Sequence, residues 1–96
     1  MLIGIHHVIN DATKWEQGKQ SLMSKMQAGT LPAGIKPVFV VPAKDQKVTF
    51  CLWEADSLDT VKKFIDRELG AAARNDYFEV DTKNAIGLPE VAAGKK

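Results

Sequence analysis

The spacing of apolar and polar positions divides this chain into six blocks. Residues 2–9 (Leu-Ile-Gly-Ile-His-His-Val-Ile) are rich in β-branched side chains and too short for a typical helix, so they read as a strand. Side chains alternate across a strand. Leu2, Gly4, His6 and Val8 therefore share one face, and Ile3, Ile5, His7 and Ile9 the other. At Asn10-Asp11 the period changes: Trp15, Gly18, Leu22, Met23 and Met26 recur at helical spacing, with Lys14, Gln17, Lys19, Gln20, Ser21 and Lys25 on the wet side. Asn10 or Asp11 can cap this helix, and Thr13 with Glu16 forms a capping box a turn later, so its start is open by one turn. Its end is predicted near Gln27, with Gly29 as a left-handed stop. Gly18 sits on the apolar stripe, where glycine costs about 1 kcal/mol against alanine; this predicts a close approach of helix to sheet.

After the loop Gly29-Thr30-Leu31-Pro32-Ala33-Gly34, residues Val38-Phe39-Val40-Val41 read as a second strand. Pro37 and Pro42 bracket it, which suits a sheet edge because proline cannot donate to a ladder. A short polar connection, residues 43–47, turns it into a hairpin with a third strand from Val48 to Trp53. Asp56-Ser57-Leu58-Asp59 opens a second helix, with Leu58, Val61, Phe64, Ile65 and Leu69 on its apolar face and Gly70 as terminator. Residues 71–75 are predicted to add another helical turn before a fourth strand, Tyr77-Phe78-Glu79-Val80. The order β-α-β-β-α-β is the ferredoxin-like arrangement, an α+β fold. Right-handed crossovers put both helices on one face of a four-stranded antiparallel sheet. Residues 1–82 are assigned to this domain and 83–96 to a C-terminal arm or tail.

The uncovered face should be polar at alternate positions, and it is not. The first strand is apolar on both sides apart from its histidines. The second is apolar at four consecutive positions, and the third presents Val48, Phe50 and Leu52 on one side and Cys51 and Trp53 on the other. So large an apolar patch predicts a cover. The expected cover is a second copy, sheet against sheet, which makes a homodimer and closes a dimeric α/β barrel. The rival is the C-terminal segment folded back, with Ile86, Leu88 and Val91 as plugs.

Composition narrows the function classes. The 96 residues carry 26% charged side chains and a net charge of +1, with no basic stripe, which points away from nucleic acid. No apolar run approaches the roughly 20 residues of a membrane helix, and no secretory leader pattern opens the chain. One cysteine, Cys51, cannot make an internal disulfide, which fits the cytoplasm. No nucleophile elbow, phosphate-binding glycine loop or zinc-spaced motif occurs.

His7-x-Ile9-x-Asp11 followed by Trp15 resembles the strand-to-helix junction of the dimeric α/β-barrel superfamily, which includes antibiotic-biosynthesis-monooxygenase-like proteins and small uncharacterised bacterial domains. Residues 51–59 resemble the third-strand-to-second-helix junction of relatives that include small nickel-binding proteins. The resemblance spans roughly residues 2–82 and implies the fold more than any one chemistry, since this fold hosts many. Relatives that hold haem use a histidine in the second half of the chain, and none follows His7 here.

The candidate chemistry rests on few residues. His6 and His7 are adjacent on a strand, so their rings point to opposite faces and cannot chelate one ion together. Either can act as a general base, as a cofactor-free oxygenase would need. Phe50, Cys51, Trp53 and Tyr77 are the side chains expected to line a pocket for a small, largely apolar ligand. No metal site and no cofactor are assigned. Set against this, aromatic residues on central strands usually belong to a core, and a mid-strand cysteine among apolar neighbours is usually inert. Three functions stay open at this point. They are a ligand-binding dimer with monooxygenase-like activity, a non-enzymatic metal-binding (nickel-like) or stress-associated accessory protein, and a pure interaction module.

Overall fold

The structure, a computed structural model, describes residues 1–88. Its elements follow the order β1 (Leu2–Ile9), α1 (Ala12–Ala28), β2 (Ile35–Pro42), β3 (Val48–Ala55), α2 (Leu58–Leu69) and β4 (Ala73–Glu79). The four strands form one sheet in the order β2-β3-β1-β4, antiparallel throughout. The ferredoxin-like expectation holds.

Local chemistry explains the helix boundaries. Asp11 is extended (φ −139°) and its carboxylate accepts from Lys14 N at 3.0 Å, so Asp11, and not Asn10 or Thr13, is the cap of α1. Gly29 at φ 71° ends the helix in the left-handed conformation that glycine adopts without steric cost. Ser57 caps α2 by accepting from Thr60 N.

Three expectations change. β2 runs from Ile35 to Pro42, taking in both prolines. As an edge strand it tolerates them, with a bulge at Val38 between the Pro37↔Trp53 and Phe39↔Leu52 pairs. Residues 71–75 add no helical turn, because β4 begins at Ala73. Helical propensity of the alanines gives way to β1, whose Ile9, Val8 and His7 pair with Ala73, Arg74 and Asn75. Gly18 faces the other helix and not the sheet: a Cβ there would lie 2.5 Å from Glu68 O and 2.6 Å from Leu69 Cδ2.

The core lies between the sheet and the helices. Ile3, Ile5, Trp53, Val61 and Ile65 are all at most 1% exposed. The two helices share it unequally. α2 buries Val61, Phe64, Ile65 and Leu69 within 12 residues, whereas α1 buries only Trp15 and Leu22 within 17. Between the helices Glu68 holds them together, accepting from Lys25 Nζ at 2.6 Å and Ser21 Oγ at 3.1 Å.

The opposite face of the sheet carries Phe39, Phe50 and Phe78 in a row of ring contacts, with centroids 6.0 and 6.3 Å apart. Phe78 leans over Gly4, where a Cβ would collide with its ring. Val41 is 54% and Phe78 48% exposed. Ile86 is 98% exposed, so it does not plug this face, and Val91 lies outside the described residues. The 83–96 assignment lies in part outside them as well.

Candidate functional site on the inner face of the sheet

β1 is a central strand, flanked by β3 and β4, so its inward side chains meet partners from both. His7 is fully buried there. Its Nδ1 lies 2.5 Å from Asn75 Oδ1 on β4, and its Nε2 lies 3.1 Å from Cys51 Sγ on β3. Asn75 Nδ2 donates to Ala73 O at 3.4 Å, which turns the amide so that Oδ1 faces the ring. An oxygen can only accept, so the Asn75 contact is satisfied when Nδ1 carries the proton, the tautomer in which Nε2 can accept from the Cys51 thiol. The three side chains form a thiol–imidazole–amide chain.

Trp15 covers this chain. Its ring centroid is 5.1 Å from that of His7, at 60°. The position follows from the short β1–α1 link, in which Asn10 N and Asp11 N both donate to Ala72 O and the helix starts at once.

Burial decides the protonation states. Desolvation holds the His7 imidazole below its ordinary range; the Asn75 hydrogen bond opposes this and the nearby His6 adds to it slightly. Burial likewise pushes the Cys51 thiol up to about 12, against a weaker opposing pull from the Trp53 indole. The pair is therefore neutral thiol and neutral imidazole, with no thiolate nucleophile at rest.

Trp53 lies two positions along β3 from Cys51, on the same face, with its ring edge-on to Phe64 of α2 at 6.1 Å. Its Nε1 is buried and has no hydrogen-bond partner of good geometry. Tyr77 also points inward, yet its hydroxyl donates to Asp66 Oδ1 at 2.6 Å and Lys62 lies over its ring. Burial and the Asp66 carboxylate both raise its pKa. Tyr77 thus ties β4 to α2.

Of the six side chains singled out in the sequence, His7, Cys51, Trp53 and Tyr77 are on the inner face, and His7 and Cys51 are in direct contact. His6 and Phe50, a cross-strand pair, are on the outer face. Asn75 went unread because residues 71–75 looked helical; the strand register alone places it opposite His7. Clefts of about 310, 400 and 230 Å³ occur on the surface, and none of these three is lined by His6, His7, Cys51 or Trp53. Among the described residues no group of three His, Cys, Asp or Glu side chains is placed to hold a metal ion. Among them, too, no helix is long and apolar enough to cross a membrane.

The element order and sheet topology define the class of the protein as a ferredoxin-like domain. A solved "putative antibiotic biosynthesis monooxygenase" from Deinococcus radiodurans is similar to it with a TM-score of 0.53 and 16% identity, over 93% of this chain and 99% of that one. A protein of the same description from Bacteriodes thetaiotaomicron VPI-5482 gives a TM-score of 0.56 and 12% identity, over 93% and 91%. At such identities the likeness is one of fold. The chain itself belongs to the family described as a domain of unknown function, DUF8652, which it matches over residues 4–88. No curated protein matches it.

Proposed function

We propose that the chain is a homodimeric small-molecule-binding domain whose ligand lies on the inner face of the sheet, beneath α1. The observation that carries this reading is the buried Trp53 N–H, which pulls on the Cys51 sulfur but has no hydrogen-bond partner of good geometry, on the same face as the neutral Cys51–His7–Asn75 chain. An unpaired buried donor costs about 1–3 kcal/mol, and a ligand oxygen would relieve it. Ile3, Ile5, Trp15, Leu22 and Phe64 make the surroundings apolar. The matching ligand is a small aromatic alcohol, with its oxygen toward Trp53 and a hydroxyl proton for His7 Nε2.

The site is closed at rest, so one wall must yield. α1, with two buried side chains, is held more weakly than α2 with four. In the enzymatic version of this reading, His7 removes the hydroxyl proton and a ring carbon of the phenolate bonds to dioxygen. The peroxide takes that proton back from His7, and loss of water from the hydroperoxide, with the ring C–H proton and O–O cleavage, leaves a quinone. The outer face, with Phe39, Phe50, Phe78 and His6, serves assembly: a second copy covers it under two-fold symmetry. The buried, unpaired Cys51 supports a reducing compartment, the cytoplasm.

The test is a titration of ¹⁵N-labelled protein with 1-naphthol. The two indole N–H signals, assigned with a Trp53→Phe variant, report directly. A saturable shift of the Trp53 signal, weakened in His7→Ala, is the expected result. A Trp53 signal that stays fixed while naphthol reaches its solubility limit overturns the reading.

A further inference from the structure

We infer that Asn75 is the positioning residue of this site: its amide holds His7 in the Nδ1–H tautomer and keeps Nε2 as a proton acceptor, capped at rest by the Cys51 thiol. The inference rests on the ligand-binding reading of the inner face, and it assigns a role to a side chain that does not itself meet the ligand.

Three contacts support it. The amide orientation is set independently of the histidine, because Nδ2 donates to Ala73 O. With Oδ1 thus turned toward the ring at 2.5 Å, only an Nδ1–H can satisfy the pair. The reversed tautomer would bring two lone pairs together at Nδ1 and Oδ1 and leave both buried groups unsatisfied, at about 1–3 kcal/mol each. At the far nitrogen, the thiol 3.1 Å away is a weak donor. A ligand hydroxyl is a stronger one and can replace it without leaving Nε2 bare. Cys51 is therefore a placeholder for a ligand proton and not a nucleophile.

The wiring also explains why a neutral amide serves here better than an acid. His7 meets Cys51 on β3 and Asn75 on β4 by hydrogen bond and Trp15 on α1 by ring contact, with Thr49 opposite it on β3 and His6 on the other face of the same strand. None is an acid, and burial outweighs the Asn75 hydrogen bond that favours the imidazolium, so His7 stays ready to accept. An aspartate at position 75 would reverse this. A carboxylate in hydrogen-bond contact raises a neighbouring base by about one to three pH units.

Tautomers are read from the ¹⁵N shifts of the imidazole nitrogens in the wild-type protein, with Asn75→Ala and Asn75→Asp beside it. The wild type is expected to show a pyrrole-type Nδ1 and a pyridine-type Nε2 for His7. Asn75→Ala should move the proton to Nε2, and Asn75→Asp should leave both nitrogens protonated at neutral pH. A wild-type His7 with its proton on Nε2 overturns the inference without any variant, so a variant that fails to fold does not rescue it. An unchanged tautomer in folded Asn75→Ala overturns it as well. The naphthol titration is separate: a fixed Trp53 signal beside the expected tautomer removes the binding reading and leaves Asn75 as the group that orients a structural histidine.

Discussion

Phe78 offers the most direct test of assembly through the outer face. It is 48% exposed although it already contacts Phe50 and lies over Gly4. A phenylalanine side chain buries about 200 Å² when fully covered, so about 100 Å² remains for a partner. At about 25 cal/mol per Å² this amounts to about 2.5 kcal/mol for each copy. A two-fold interface counts the residue twice, and the alanine methyl retains a little, so Phe78→Ala should weaken the dimer by about 4 kcal/mol. Each 1.4 kcal/mol is tenfold, which puts the dissociation constant up by about 10³. Sedimentation velocity over a dilution series measures the change. Met23 on α1 is equally exposed, at 48%, and away from the sheet, so Met23→Ala is the matched control and should leave assembly unchanged. Urea unfolding of both variants separates loss of dimer from loss of fold. A wild-type monomer at its highest soluble concentration refutes the reasoning, as does a Phe78→Ala dimer as tight as the parent.

Three further outcomes follow from the inner face and the helix pair. Because burial lowers the His7 pKa, the unfolded chain takes up a proton first as pH falls below about 6.5. Stability should therefore be fully present above that pH and decline below it, by up to about 1.4 kcal/mol per pH unit until the folded pKa is reached. Chemical denaturation between pH 8 and 5 should show this slope, and His7→Gln should lack it. Cys51 should resist a disulfide reagent in the native state: with its pKa at about 12, roughly one thiol in ten thousand is ionised at pH 8. Labelling should accelerate steeply in urea, and fast labelling of the folded protein would contradict the burial argument. In Gly18→Ala, helix propensity gains about 1 kcal/mol, against about 1–3 kcal/mol for overpacking. The clash is with backbone Glu68 O, which cannot swing aside. The variant should lose about 1 kcal/mol by urea midpoint, and a stabilised variant would show that the helices have room.

The residues that read correctly from the chain did so because their signals are local. Strand β1 rests on a short run rich in β-branched residues, and the start of α1, open by one turn in the sequence, on cap residues next to it, all contained within about fifteen residues. The opposite orientation of His6 and His7 is a consequence of strand geometry and appears as expected, one exposed and one sealed. Residues 71–75 misled because alanine favours a helix in isolation. In the folded chain the β1 ladder supplies partners for Ala73, Arg74 and Asn75, and that long-range pairing outweighs a propensity of a few tenths of a kcal/mol per residue. Gly18 misled for a similar reason, since a small residue on an apolar stripe announces a close neighbour without saying which.

The sequence by itself determined the order of elements, the ferredoxin-like arrangement and the apolar character of both sheet faces. These depend on periodicity and caps, which a chain carries along its length. Only the tertiary structure decided that Cys51, His7 and Asn75, 44 and 68 positions apart along the chain from the histidine, meet in one hydrogen-bonded chain. Register is a property of paired strands, and a slip of one residue would have sent Asn75 to the outer face. Burial then did the rest, leaving thiol and imidazole neutral and the Trp53 N–H without a hydrogen-bond partner of good geometry.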